Sequence, residues 1–224
     1  MQKPRIPSIA SEPKNRKDVA MREVRVKTWT REAQVPVGLL ESLRELNHRF
    51  LDLIAGQCAQ WRSIDGELKR QVTPLSPAQK KAAANCPYAL FDLRFHDEAH
   101  WQMRLQLERK WVVADDTSID QATRDFVRLA LFFAWHVAST GKLAPTLLLG
   151  MSEQTAAAFR GATIDCLPGL VESEAAHLSA RWSSSSIYWR ALTGAASGAN
   201  SIELRRIQLY GLQLAAAARL EPRR

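Results

Sequence analysis

Two histidines four residues apart flank two carboxylates in His96-Asp97-Glu98-Ala99-His100. On one helix that spacing would place both imidazoles on the same face, where they could share a transition metal. The glutamate stands two places after the first histidine, so this is not the H-E-x-x-H pattern of a metalloprotease. Asp97 is also suited to cap a helix, which would take His96 off it and out of register with His100. A capped helix start is the favoured reading, and no metal or other cofactor is expected. Asp115, Asp116, Asp120 and Asp125 gather near another helix start. There the helix dipole accounts for negative charge, with a hard-cation site as the second reading.

Nucleophilic and phosphate chemistry find no motif. The chain has no G-x-S-x-G nucleophile, no cysteine with a histidine in local context, and no glycine-rich phosphate loop. Cys58, Cys86 and Cys166 are odd in number and far apart. They encode neither a disulfide framework nor a cysteine-rich zinc site. The expectation is a protein that is not an enzyme.

Cations and aromatics offer binding rather than catalysis. Residues 1–31 hold nine Lys/Arg against three acidic residues, which leaves only +2 of the net +8 for the rest of the chain. A near-neutral body with a basic arm follows, and the arm can meet phosphates, an acidic partner or solvent alone. Lys14, Arg16, Lys17, Arg22, Arg25 and Lys27 are its candidate nucleic-acid contacts, joined by Arg160 and Thr163 farther along. Arg181, Trp182, Tyr188 and Trp189, beside Arg190, mix cations with aromatic rings. That mixture suits stacking on bases or anchoring a protein partner, and its spacing equally suits the edge of a core.

The elements that must position these residues are helical. Apolar residues make up 46% of the 224, enough for a substantial core, while ten glycines and ten prolines leave few turns for a many-stranded fold. Residues 1–34 read as a disordered basic tail and 35–224 as one all-α domain. Leu39, Leu40, Leu43, Leu46, Phe50, Leu51, Leu53 and Ile54 form a stripe that predicts a helix from Val37 to about Gln60. Ser76-Pro77 opens a short helix to Ala84. Alternation in 91–96 suggests a brief strand or extended segment without an obvious partner strand. Asp97 opens a helix to about Val112, with Trp101, Leu105 and Trp111 inward and Arg104, Glu108 and Arg109 outward. Ser118 caps the central buried helix, which ends at Gly141 in a left-handed cap.

Beyond it come a helical turn over Leu143–Leu149, a helix from Ser152 through Phe159, and a Thr163-led helix to about Glu172. A helix over Ser184–Leu192, a flexible loop over Gly194–Asn200 and a Ser201-capped helix to Leu220 complete the chain. No uninterrupted apolar run approaches the roughly 20 residues that span a bilayer. No secretory signal opens the sequence, so a soluble cytoplasmic protein without membrane contact is expected.

Residues 147–172, LLLGMSEQTAAAFRGATIDCLPGLVE, place two short caps around Gly161, with alanines where helices approach closely. This is a helix-turn-helix-like arrangement, with Ile164, Leu167 and Leu170 available to pack the second helix. Pro168 counts against it if it lies deep in that helix. From Leu129 to Trp189, an apolar helix leads into Leu-Gly-Met-Ser-Glu-Gln, alanines, a threonine-led short helix and the Arg181-Trp182 step. In these features the chain resembles the FlhD family of bacterial flagellar transcription regulators. The resemblance implies a helical regulator acting with a second subunit, with the turn around Gly161 near DNA or that partner. The four-cysteine zinc site of the partner FlhC family is absent.

Two functions are therefore expected. The first is a non-enzymatic transcription regulator or regulator subunit, contacting DNA through the arm and acting with a protein partner. The alternative is a helical adaptor in a secretion or motility assembly without nucleic acid, whose sign would be an exposed apolar patch. Homo-oligomerisation is compatible with either.

Overall fold

The first helix shows how the core is built. In the computed structural model, which describes residues 35–56, 66–106 and 119–217, α1 runs over Val37–Ala55. Its stripe buries Leu39, Leu43, Leu46, Phe50, Leu51 and Ile54. Gly56 ends it, several residues before the expected Gln60, by donating its N–H to the carbonyls of Asp52 and Leu53. α2 (Gly66–Val72) and α3 (Pro77–Ala84) pack against it. The start of α3 is a full capping box: Ser76 Oγ accepts the Gln79 N–H, and Gln79 Oε1 accepts the Ser76 N–H at 2.8 Å. Two otherwise unsatisfied donors are thereby paired at a proline-opened helix.

After α3 the chain runs through the core with no regular structure before Phe91, so its peptide groups need partners there. Asn47, fully buried on α1, supplies three: its amide nitrogen donates to Ala84 and Tyr88 carbonyls, and its oxygen accepts from Leu90 N–H at 2.8 Å. Ala89 N–H donates to the Leu148 carbonyl at 2.7 Å. The extended segment does find a strand. β1 (Phe91–Asp92) pairs antiparallel with β2 (Ser179–Ala180), Phe91 opposite Ala180, and Phe50, Phe91 and Phe126 meet beneath it. A two-residue partner leaves no periodicity in the sequence, which is why it was not foreseen.

α4 (Glu98–Gln106) starts as expected, with Asp97 Oδ1 accepting the His100 N–H at 3.0 Å, and buries Trp101. Trp111, Glu108 and Arg109 lie outside the described residues, as does Ser118. The described cap of α5 (Gln121–Thr140) is Asp120, whose Oδ1 accepts the Thr123 N–H at 2.7 Å. α5 is central, touching α1, α6 and α7. Gly141 closes it in an extended conformation, φ 178°, instead of the expected left-handed one. The left-handed glycine is Gly150 at φ 72°, ending a π-helical turn over Pro145–Leu149.

α6 (Glu153–Gly161) is capped by Ser152 as its sequence indicates. A 3₁₀ turn over Ile164–Cys166 then leads into α7 (Leu167–Ala175). That turn shifts the helix start, so Pro168 is the second residue of α7, where its missing N–H costs no hydrogen bond. Leu167 and Leu170 pack inward, while Ile164 stays exposed. α6 and α7 each lie on α5 and share no comparable interface with one another.

α8 (Ser186–Ser197) continues through Gly194, Ala195 and Ala196, which were expected in a loop. Ala195 and Ala196 are buried there, so packing overrides the low propensity of glycine. The turn is confined to Gly198–Asn200. α9 (Ser201–Ala217) is capped by Asn200, whose Oδ1 accepts the Glu203 N–H at 3.0 Å, instead of by Ser201. It packs on α8 and touches the π-turn. The described residues group as one unit, and no described helix is long and apolar enough to cross a membrane.

Candidate functional site

The cation and aromatic cluster expected to meet a partner is instead the inside of the molecule. Tyr188 and Trp189 are buried, Trp182 is half-buried, and Arg181 is only 9% exposed. Spacing along α8 could not separate a surface anchor from a core edge. The decision comes from α9, α3 and α2, which close over it. Tyr88 and Tyr188 share a hydrogen bond between their hydroxyls at 3.0 Å, and both rings meet the edge of Trp182. Trp189 Nε1 donates to the Arg181 carbonyl at 3.0 Å.

Arg181 lies with its guanidinium 4.7 Å from the Trp182 ring centre and directs Nη1 at the Leu148 carbonyl. Burial pulls its pKa down, against the pull of Asp92. Gly150 makes room for it, since a Cβ there would sit 2.5 Å from Nη2. In the same seam burial pushes the Cys86 thiol up to about 12 and both tyrosines well above the ordinary phenol value. These groups are neutral and closed to solvent, and offer no nucleophile.

Arg160, in the last turn of α6, and Thr163, just after it, do reach the surface. Arg160 Nε donates to the Ala138 carbonyl at 3.0 Å, so its charge also satisfies the C-terminal end of α5. Trp135 Nε1 binds the Ala162 carbonyl and fixes the same turn on α5. Lys14, Arg16, Lys17, Arg22, Arg25 and Lys27 lie outside the described residues. Asp120 serves as a cap, and Asp125 pairs with Arg128 at 2.7 Å. Asp115 and Asp116 lie outside the described residues.

A different surface emerges on α9. Its inner side is narrow: Ile207, Gly211 and Ala215 are the buried positions. Gly211 is required there because a Cβ would fall 2.0 Å from the Tyr88 hydroxyl. Opposite, Ile202 is 81% exposed, Leu209 56% and Tyr210 42%. Ile202, Arg205, Arg206, Leu209 and Gln213 follow three-and-four spacing, so they form one stripe along the helix. The sequence carried the signal in the apolar positions on more than one side of this helix, which a single-faced helix does not need.

A second feature joins α4 to the end of α7. Glu174, with no solvent exposure, receives His100 Nε2 on one oxygen at 2.8 Å and Arg104 Nε beside the other at 3.2 Å. Arg104 thus turns inward, contrary to its expected outward position, because a buried carboxylate needs a cationic partner. Ser173 Oγ donates to the same oxygen as Arg104. His177 stands edge-on to His100, ring centres 5.4 Å apart. Burial lowers its pKa, opposed by Glu174 and helped by Arg94, His100 and Arg104. His96 is exposed beside Asp92 and does not join the cluster. His100 therefore finds its partners across the fold, where spacing within 96–100 could not point. Glu174-Ala-Ala-His177 was the legible half, since residues three apart can share a face. No family model, curated protein or solved structure matches this chain.

Proposed function

We propose that this chain is a non-enzymatic helical subunit of a multiprotein assembly, docking a protein partner on the outward face of α9. The observation that carries this reading is the exposed stripe of Ile202 and Leu209, flanked by Tyr210, on a helix whose inner face buries only small or branched residues. Large apolar side chains exposed on one side of a helix are what a partner helix or groove takes up. Arg205 and Arg206 between them supply the charged rim that orients such a contact. The buried seam in which the Cys86 thiol and the Tyr88 and Tyr188 phenols are held neutral supports a role without covalent catalysis.

The test places a photo-crosslinking amino acid at Leu209 and, as a control, at His136 on the exposed side of α5. One protein captured from position 209 alone, and then bound as a purified partner with Leu209→Glu weakening it, is the expected result. Equal capture from both positions, or a crosslink solely to a second copy of this chain, would overturn the reading.

A second reading is favoured by the exposure of Arg160 at the end of α6 and of Thr163 in the turn that leads to α7. In it the subunit is a transcription regulator, as the resemblance of 129–189 to the FlhD family suggests, with the basic arm on phosphates. Full-length protein should then bind random duplex DNA with a steep salt dependence. Changing Lys14, Arg16 and Lys17 to alanine should flatten that dependence by up to about three units, at roughly 0.9 per neutralised phosphate. No binding at low salt would remove this reading and leave the adaptor.

A further inference from the structure

The corner between α4 and α7 is not used by partner docking. Its residues are metal-ligand types gathered from two helices. At the end of α7 the His177 N–H bonds to the Glu174 carbonyl at 2.9 Å, a three-residue closure. That tight geometry brings side chains three apart into line. Glu174 and His177 thus share one edge, facing His100 on α4. One ligand atom from each of the three lies within 4.8 Å of the others. His177 has no hydrogen bond to its ring nitrogens among the described residues.

We propose that His100, Glu174 and His177 form a binding site for one divalent transition ion of the zinc type, tying α4 to the end of α7. Two imidazoles and one carboxylate make a zinc ligand set, and imidazole selects such ions over magnesium and calcium. Metal–ligand bonds of about 2.1 Å put tetrahedral ligands roughly 3.4 Å apart, so the widest separation in the triad closes by at most about 1.4 Å while the 2.8 Å His100–Glu174 contact opens slightly. His177 supplies the closing movement, since rotation of its ring breaks no hydrogen bond, and the ion takes the place of the His100–Glu174 hydrogen bond. Arg104 and Ser173 hold one oxygen of Glu174 and so fix the carboxylate whose other oxygen meets His100. Supporting bonds of this kind orient a metal ligand.

Neutral imidazole is the ligand form, and the lowered pKa of His177 keeps it in that form near neutrality. Arg94 and Arg104 oppose a dication, which makes the site weaker than a closed cysteine site. Half-burial of His177 leaves a side open to a solvent ligand.

Full-length protein stripped with a chelator is titrated with Co²⁺ and followed by visible absorption, then chased with Zn²⁺. One Co²⁺ per chain, with d–d bands that Zn²⁺ removes, is expected. His177→Gln should weaken binding at least tenfold with unchanged circular dichroism, while His136→Ala leaves it as in the parent. Replacing His100 or Glu174 can unfold the corner, so X-ray absorption of the Zn²⁺-loaded parent protein provides an independent readout, expected to show two imidazoles and a carboxylate oxygen. Absence of the bands, undiminished binding in His177→Gln, or a shell without two imidazoles would each overturn the site and leave a purely structural ion cluster.

Discussion

α8 and α9 are neighbours in sequence and in space, yet they treat large side chains in opposite ways. α8 carries Tyr188 and Trp189 inward, with Ile187 as the exposed exception, whereas α9 leaves Ile202, Leu209 and Tyr210 outside. The difference lies in what the partner helix can receive. Gly211 gives α9 a flat inner side onto which the Tyr88 ring fits, and so the interface fills from the α8 side and from the segment after α3. Of the bulk on α9, Ile207 is buried in that interface and Leu204, Leu212 and Leu214 pack at its edge, while Ile202, Leu209 and Tyr210 are left outside. Aromatic content therefore misleads about which surface is free, and the location of the small residue is the better guide.

Substitutions can break or sharpen this contrast. The largest effect is expected from Trp189→Ala, which empties a core position and loses the bond to the Arg181 carbonyl. About 3–5 kcal/mol of stability should disappear in a urea titration. Asn47→Leu should follow, at roughly 2–4 kcal/mol, because the Tyr88 carbonyl and Leu90 N–H lose their partner inside the core. Gly211→Ala forces a Cβ against Tyr88 and should cost about 1–3 kcal/mol. A neutral outcome for Gly211→Ala would mean that α9 is not seated as described.

A smaller effect is tied to pH. His177 has a folded pKa below its ordinary value, so the unfolded chain binds the extra proton first as pH falls. Stability should decline on acidification from about pH 6.5 downward, and His177→Gln should remove that part of the slope. Asp97 acts lower on the scale. The His100 N–H holds its carboxyl below the usual range, so its contribution is present above about pH 3.9 and is lost as pH falls through the lower folded value.

Local signals in the sequence located the helices well and their surroundings poorly. The Ser76 box, the Ser152 cap and the stripe of α1 depend on residues within one or two turns, and each forms where its spacing indicates. The β1–β2 pair and the His100–Glu174 contact join residues more than seventy apart in sequence, and no periodicity encodes them. Pro168 looked like a flaw because the 3₁₀ turn that moves it to the start of α7 has no signature of its own. The exposed side of α9 was present in Ile202, Leu209 and Tyr210, but reading it required knowing which side Gly211 turns toward Tyr88.

The most direct test combines Ile202→Glu and Leu209→Glu and measures chemical stability alongside affinity for the purified partner captured from position 209. Stability should stay within about 0.5 kcal/mol of the parent, as for other exposed positions. Binding should fall at least thirtyfold, equivalent to about 2 kcal/mol. A loss of stability approaching that of Trp189→Ala, or full-strength binding by the charged variant, would contradict the assignment of α9's outward face as the docking surface.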